Sequence, residues 1–126
     1  MKYIVLAVAA FTLFSCGKEE KKESLYPAEQ ETVQTPVALG KEIFEGKGVC
    51  YSCHKPEVKT VGPAIKDIAK IYKEKGGSIA EFLKEKSEPI VDPSQYATMK
   101  TNFAITRNLP EEELKALEAY MLSFSK

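Results

Sequence analysis

One short run constrains this chain more than anything else in it: Cys50-Tyr51-Ser52-Cys53-His54, which contains the sole histidine of 126 residues. Two cysteines separated by two residues, with histidine directly after the second, form the attachment signature of a c-type haem. The spacing follows from the chemistry. Each thiol adds to one vinyl group of the porphyrin, and the histidine is carried under the iron with its imidazole aimed at the metal. Zinc and iron–sulfur centres need four protein ligands; the chain holds three cysteines and one histidine in all, and Cys16 falls in a separate motif near the N-terminus. The rival readings are a thioredoxin-like redox pair, a plain disulfide and a chance match. A redox pair normally follows a strand in a βαβ pattern, and no such pattern surrounds this one.

Residues 1–15 read as a leader rather than as part of the fold. Met1-Lys2 is a short positive start, and Tyr3 to Phe14 is an almost unbroken apolar run of twelve residues. A spanning helix needs about 20, so the run has the length of a signal-peptide core. Leu13-Phe14-Ser15-Cys16 resembles a bacterial lipobox, in which the cysteine receives a diacylglyceryl group and becomes the mature N-terminus. Ser15 supplies the small residue before the cut; Phe14 is bulkier than the usual occupant of its place. An ordinary signal peptide with a stray cysteine is the plainer alternative. Lipidation suits the polar run that starts directly after Cys16, and two or three acyl chains hold firmly where a single one binds marginally.

Residues 16–36 then read as a lipidated, flexible polar tether. Gly17 to Ser24 contains three lysines and three glutamates, and the stretch onward to Pro36 is rich in Glu, Gln, Thr and Pro. Such a composition buries too little apolar surface to offset its ordering entropy, and about twenty flexible residues reach roughly 25 Å on average. Lys18-Glu19-Glu20 resembles the surface-export signals of some Gram-negative lipoproteins, with a solvated spacer as the alternative. Removal of Lys2 with the leader leaves 17 basic against 18 acidic side chains. A near-neutral chain of this kind lacks the basic face that nucleic acid requires.

From Val37 onward the pattern is amphipathic and helical. Gly40, Ile43 and Phe44 share one face of a first helix ending near Gly46 or Gly48. Ile65, Ile68, Ala69 and Tyr72 follow helical spacing, and Gly76-Gly77 stops that helix. Ser78 and Glu81 make a capping-box pair for a short helix carrying Ile79, Phe82 and Leu83. Pro89 and Pro93 break the next segment into a loop. Pro110 and three glutamates open the last helix, whose stripe is Leu114, Leu117, Tyr120, Met121 and Phe124. No strand signal carries weight. The expectation is one all-α domain of about 90 residues, small enough for a covalently held haem to supply much of the core.

A second histidine does not exist, so bis-histidine ligation is excluded. The mature chain offers Met99 and Met121. Met121 lies on the apolar stripe of the last helix, where core packing is the default. Met99 lies in the loop after Pro93, where no helical stripe explains it, and a loop methionine can bring its thioether to the iron.

Taken together, these motifs resemble the small bacterial single-haem class I cytochromes c, over about Val37 to Lys126. The matching features are Cys50-Tyr51-Ser52-Cys53-His54 after an N-terminal helix, and Val61-Gly62-Pro63 followed by Ala64-Ile65-Lys66-Asp67-Ile68-Ala69. They continue with Met99 and Asn102 three residues later, and with Gly40 and Phe44 set against Leu117 and Tyr120. The resemblance implies a class I cytochrome c fold over 37–126, with four to five helices around one covalently bound haem c. It also implies roles: Cys50 and Cys53 hold the haem, His54 and Met99 ligate the iron, and the Pro63 carbonyl accepts a hydrogen bond from the imidazole. Asn102 would direct an amide at the methionine sulfur, and Gly40 would let the terminal helices cross closely. Lys100 stands where many relatives have proline, which implies a more mobile loop.

A haem with both axial places filled by the protein implies one-electron transfer rather than catalysis, and the residues supply no enzyme constellation beyond His54. The expectation is a monomeric, membrane-anchored carrier on the periplasmic side or the outer face of the cell envelope. Its partners would be redox proteins, namely a quinol-oxidising complex and a terminal oxidase or reductase. A haem enzyme or gas sensor with a labile Met99, or a fixed haem subunit of a larger complex, are the alternatives. Lys47, Lys55, Lys59, Lys66 and Lys100 flank the haem-contacting segments as candidate steering charges, although the chain from Pro36 on balances 14 basic with 13 acidic residues.

Overall fold

The computed structural model describes residues 34–125. The leader, Cys16 and the tether as far as residue 33 lie outside the described residues. The described residues form six α-helices and two 3₁₀ turns, with no strand among them. None of these helices is long and apolar enough to cross a membrane.

Helix α1 (Pro36–Glu45) starts where Thr35 Oγ1 accepts from the Ala38 N–H at 3.2 Å and proline occupies the first helical position. It buries Gly40, Ile43 and Phe44 and stops at Gly46. Val49 follows with φ 54°, a left-handed conformation costing a β-branched residue about 1–2 kcal/mol. That residue turns the chain into the 3₁₀ turn Cys50–Ser52. Helix α2 (Ile65–Lys75) buries Ile65, Ile68, Ala69 and Tyr72, and Gly76 ends it in the left-handed region at φ 70°. Helix α3 (Ile79–Leu83) is capped by Ser78, whose Oγ accepts from the Glu81 N–H at 3.2 Å. Its first amide, that of Ile79, donates to the Glu118 carboxylate at 2.7 Å.

The 3₁₀ turn Pro93–Gln95 leads into α4 (Tyr96–Lys100) and α5 (Phe103–Thr106). These two short helices occupy the segment expected to be a loop, and they raise the count above the four to five anticipated. The physical reason lies in the spacing. Beyond Pro93 the segment has neither proline nor glycine until Pro110, and Tyr96, Met99, Phe103 and Thr106 recur at helical intervals. Phe103 and Thr106 are buried, the latter donating its hydroxyl to the Leu83 carbonyl at 2.8 Å.

Helix α6 (Glu111–Leu122) has Pro110 before it and Glu111, Glu112 and Glu113 in its first turn, where carboxylates suit the positive end of the helix dipole. It lies across α1. A Cβ on Gly40 would run into the Ala116 carbonyl oxygen and come within 2.7 Å of Tyr120 Cβ, so only glycine permits this approach. Phe44 packs on Tyr120 with ring centroids 5.4 Å apart, and Tyr120 meets Phe124 edge-on at 5.3 Å. Leu114 and Leu117 are fully buried beside Ile43, Phe44 and Ile65, each contributing about 1.5–3 kcal/mol through burial.

Candidate functional site

The helices leave a cleft with about 1100 Å³ of space free of protein atoms, its open mouth included. The chain from Val49 to Pro63 lines it with Cys50, Cys53, His54 and Gly62. Helices α2, α3 and α6 add Ile68, Tyr72, Ile79, Leu83 and Met121, and the stretch from Pro89 to Asn102 adds Ile90, Val91, Tyr96 and Met99. The lining is largely apolar, as a flat hydrophobic ligand requires.

Backbone hydrogen bonds shape the turn that carries the two cysteines. The N–H groups of Cys53 and His54 both donate to the Cys50 carbonyl, at 3.1 and 2.9 Å. The Cys53 carbonyl in turn accepts from the Gly62 N–H at 2.9 Å and from Thr60 Oγ1 at 2.6 Å, folding the 54–62 loop back over the turn. Cys50 and Cys53 are not joined in a disulfide. Cys50 Sγ points at the Gly48 carbonyl, 3.4 Å away, and burial pushes its thiol up to about 11.

Histidine orientation comes from the same loop. Nδ1 of His54 lies 2.8 Å from the Pro63 carbonyl oxygen. A carbonyl can only accept, so Nδ1 carries the proton and donates, leaving Nε2 as the nitrogen with a free lone pair. Gly62 packs flat against the imidazole; a Cβ there would collide with the ring.

Met99 is half-buried in α4, lines the cleft and packs against the core. Met121 is buried on α6 and also reaches the cleft. Asn102 lines the cleft as well, and its amide donates to the Gly48 carbonyl at 3.2 Å. Gly48 stands just before the left-handed turn at Val49, where among the described residues its carbonyl otherwise receives only the weak S–H of Cys50.

Several residues around the cleft were not anticipated as part of the site. Phe82, Tyr96 and Phe103 form a ring cluster with centroid separations of 5.3 to 6.3 Å. Tyr72 is buried beside the cleft, its hydroxyl pushed up to about 12 by desolvation and then by Glu118. The five flanking lysines are less available than their sequence positions suggest. Lys47 pairs with Glu113 at 2.6 Å, Lys59 with Asp92 at 3.1 Å and Lys66 with Glu57 at 3.1 Å. Lys55 donates to the Tyr51 carbonyl and sits over the Tyr51 ring, while Lys100 lies 5.9 Å from the centre of the Tyr96 ring.

Residues 37–125 match the family model for cytochrome c, and they span the whole of this helical shell except the first residue of α1. This chain belongs to the cytochrome c family. No curated protein matches it at a significant level. The cytochrome c family acts in electron transfer, and its cofactor is a covalently attached c-type haem. The residues of this cytochrome c domain fit that group on their own chemistry. Two unpaired thiols, an imidazole with its second nitrogen free and a broad apolar cleft meet at one place.

Proposed function

We propose that this chain is a membrane-tethered carrier of single electrons, its iron ligated by His54 and Met99. It would pass electrons from a quinol-oxidising complex to a terminal oxidase or reductase. The haem, when bound, supplies the one-electron change, and a thioether ligand raises its potential by favouring the ferrous state. The chain does the rest. Cys50 and Cys53 would fix the cofactor covalently, and the Pro63 carbonyl, by holding the His54 ring, would leave Nε2 as the nitrogen presented to the metal. Met99 offers its sulfur from α4, and Ile68, Ile79, Leu83 and Met121 keep water from the cleft.

The observation that carries this reading is the 2.8 Å His54–Pro63 hydrogen bond beside a cleft that Met99 also lines. With His54 and Met99 both holding the iron, the chain would leave no place there for a substrate. His54 being the sole histidine, no second imidazole serves as acid or base. Both points favour a carrier over an enzyme. The lipobox-like Leu13-Phe14-Ser15-Cys16 and the polar stretch behind it support a monomeric domain held by acyl chains on Cys16 at the periplasmic or outer face of a membrane.

The test is spectroscopic. The absorption band near the red end of the oxidised spectrum that marks methionine on ferric haem should vanish in Met99→Ala and persist in Met121→Ala. The opposite pattern overturns the ligand assignment. Carbon monoxide binding by the reduced protein at neutral pH would instead favour a haem enzyme or gas sensor.

A further inference from the structure

Two segments of chain bring the proposed ligands to the cleft: the 48–63 stretch with His54 and the 89–102 stretch with Met99. Among the described residues only two hydrogen bonds join one stretch directly to the other. Asn102 Nδ2 donates to the Gly48 carbonyl at 3.2 Å, and Lys59 Nζ donates to Asp92 Oδ2 at 3.1 Å. The second spans 33 positions of sequence and is also an ion pair.

We infer that the Lys59–Asp92 pair is a clasp, tying the Met99-bearing stretch to the His54-bearing loop and setting how often the cleft opens beside Met99. Most surface ion pairs contribute little, because ordering two long side chains offsets the attraction. Here the Asp92 carboxylate and the backbone beside Lys59 are ordered in advance. Lys59 directly precedes Thr60, whose hydroxyl is held on the Cys53 carbonyl at 2.6 Å and whose N–H is held on the Gly62 carbonyl at 3.1 Å. Asp92 directly precedes Pro93, which restricts its backbone, and its other oxygen accepts from Ser94 Oγ at 2.5 Å. The Lys59 and Asp92 side chains are 60% and 21% exposed at 3.1 Å, whereas those of the local Lys70–Glu74 pair on α2 are 71% and 62% exposed at 3.9 Å. A pair with one sheltered, pre-ordered carboxylate that closes a long loop is the kind that contributes measurably.

The consequence for ligation rests on Met99 being the second ligand; the clasp itself does not. Its test is amide hydrogen exchange in the haem-loaded protein, read at Thr101 and Asn102, whose N–H groups donate to Thr98 and Met99 at 3.3 and 2.9 Å. Asp92→Asn leaves Ser94 an acceptor and removes the charge, while Lys59→Gln removes the other partner. Each should speed exchange at these amides by about threefold, and the double variant should exceed neither single one. Glu74→Gln should change nothing there. Unchanged exchange in both single variants, or a double variant showing the product of the two, overturns the clasp. Should the red-end band survive in Met99→Ala, the ligand assignment falls while the exchange comparison still decides the clasp.

Discussion

The carbonyl oxygen of Pro63 lies 2.8 Å from Nδ1 of His54, so the sole histidine of the chain is oriented by main chain and not by a side chain. A main-chain acceptor survives every substitution that keeps the loop path. The loop path itself depends on the neighbour of that proline, because Gly62 both bonds to the Cys53 carbonyl and lies against the imidazole face.

Gly62→Ala should therefore displace the ring. In denaturant unfolding of the haem-loaded protein, the variant should lose about 2 kcal/mol, the usual cost of overpacking a filled site. The NMR resonance of the His54 Nδ1 proton should move with it. Unaltered stability with an unmoved resonance contradicts the close contact of Gly62 and the ring.

The α1–α6 crossing makes a separate demand. Gly40→Ala places a methyl group on the Ala116 carbonyl, and backbone cannot rotate aside as a side chain can. The helices must separate, loosening Phe44 from Tyr120. A loss of about 3 kcal/mol or more in chemical denaturation is expected, with the helical circular dichroism of the folded state retained.

Acid stability should respond to Glu111 at the start of α6. A hydrogen bond from Lys84 at 2.8 Å, then the charge of Lys84 itself, holds this carboxyl below its ordinary value. A depressed carboxylate contributes stability that is present at neutral pH and is lost as pH falls through its folded-state value. Glu111→Gln should thus be slightly less stable than the parent at pH 7, with the gap closing in the acid range where the parent's carboxyl is also neutral. A gap of constant size from pH 7 to pH 2, measured by thermal unfolding, contradicts this.

Anchoring should depend on one sulfur. Cys16→Ser removes the atom that would carry the diacylglyceryl group, so the haem-bearing product should move from the membrane fraction to the soluble fraction. Retention in membranes after a salt wash points instead to an uncleaved leader or a bound partner.

The longer helices were legible because their signals are local and redundant. For α2 an apolar stripe from Ile65 to Tyr72 ends at a glycine in the left-handed region, and for α1 and α6 the faces of Gly40, Phe44, Leu117 and Tyr120 are each four or three residues apart. The 89–106 stretch resisted reading for the opposite reason. Its helices are five and four residues long, two prolines precede them, and one of the four inward positions is the polar Thr106. Polar partners were less legible still. Asn102 meets a carbonyl 54 positions away and Lys59 a carboxylate 33 away, choices made by tertiary packing that no local pattern encodes.

The crossing of the first helix with the last has a consequence in time. A chain synthesised N-terminus first presents Gly40, Ile43 and Phe44 long before Ala116, Leu117 and Tyr120 exist to cover them. The shell therefore stays open until almost the last residue arrives. Until then the cover that leaves Cys50 only 8% exposed in the closed shell is incomplete. Late closure makes a delay, and the delay is when a bulky rigid guest can be bonded to a residue that the finished fold hides.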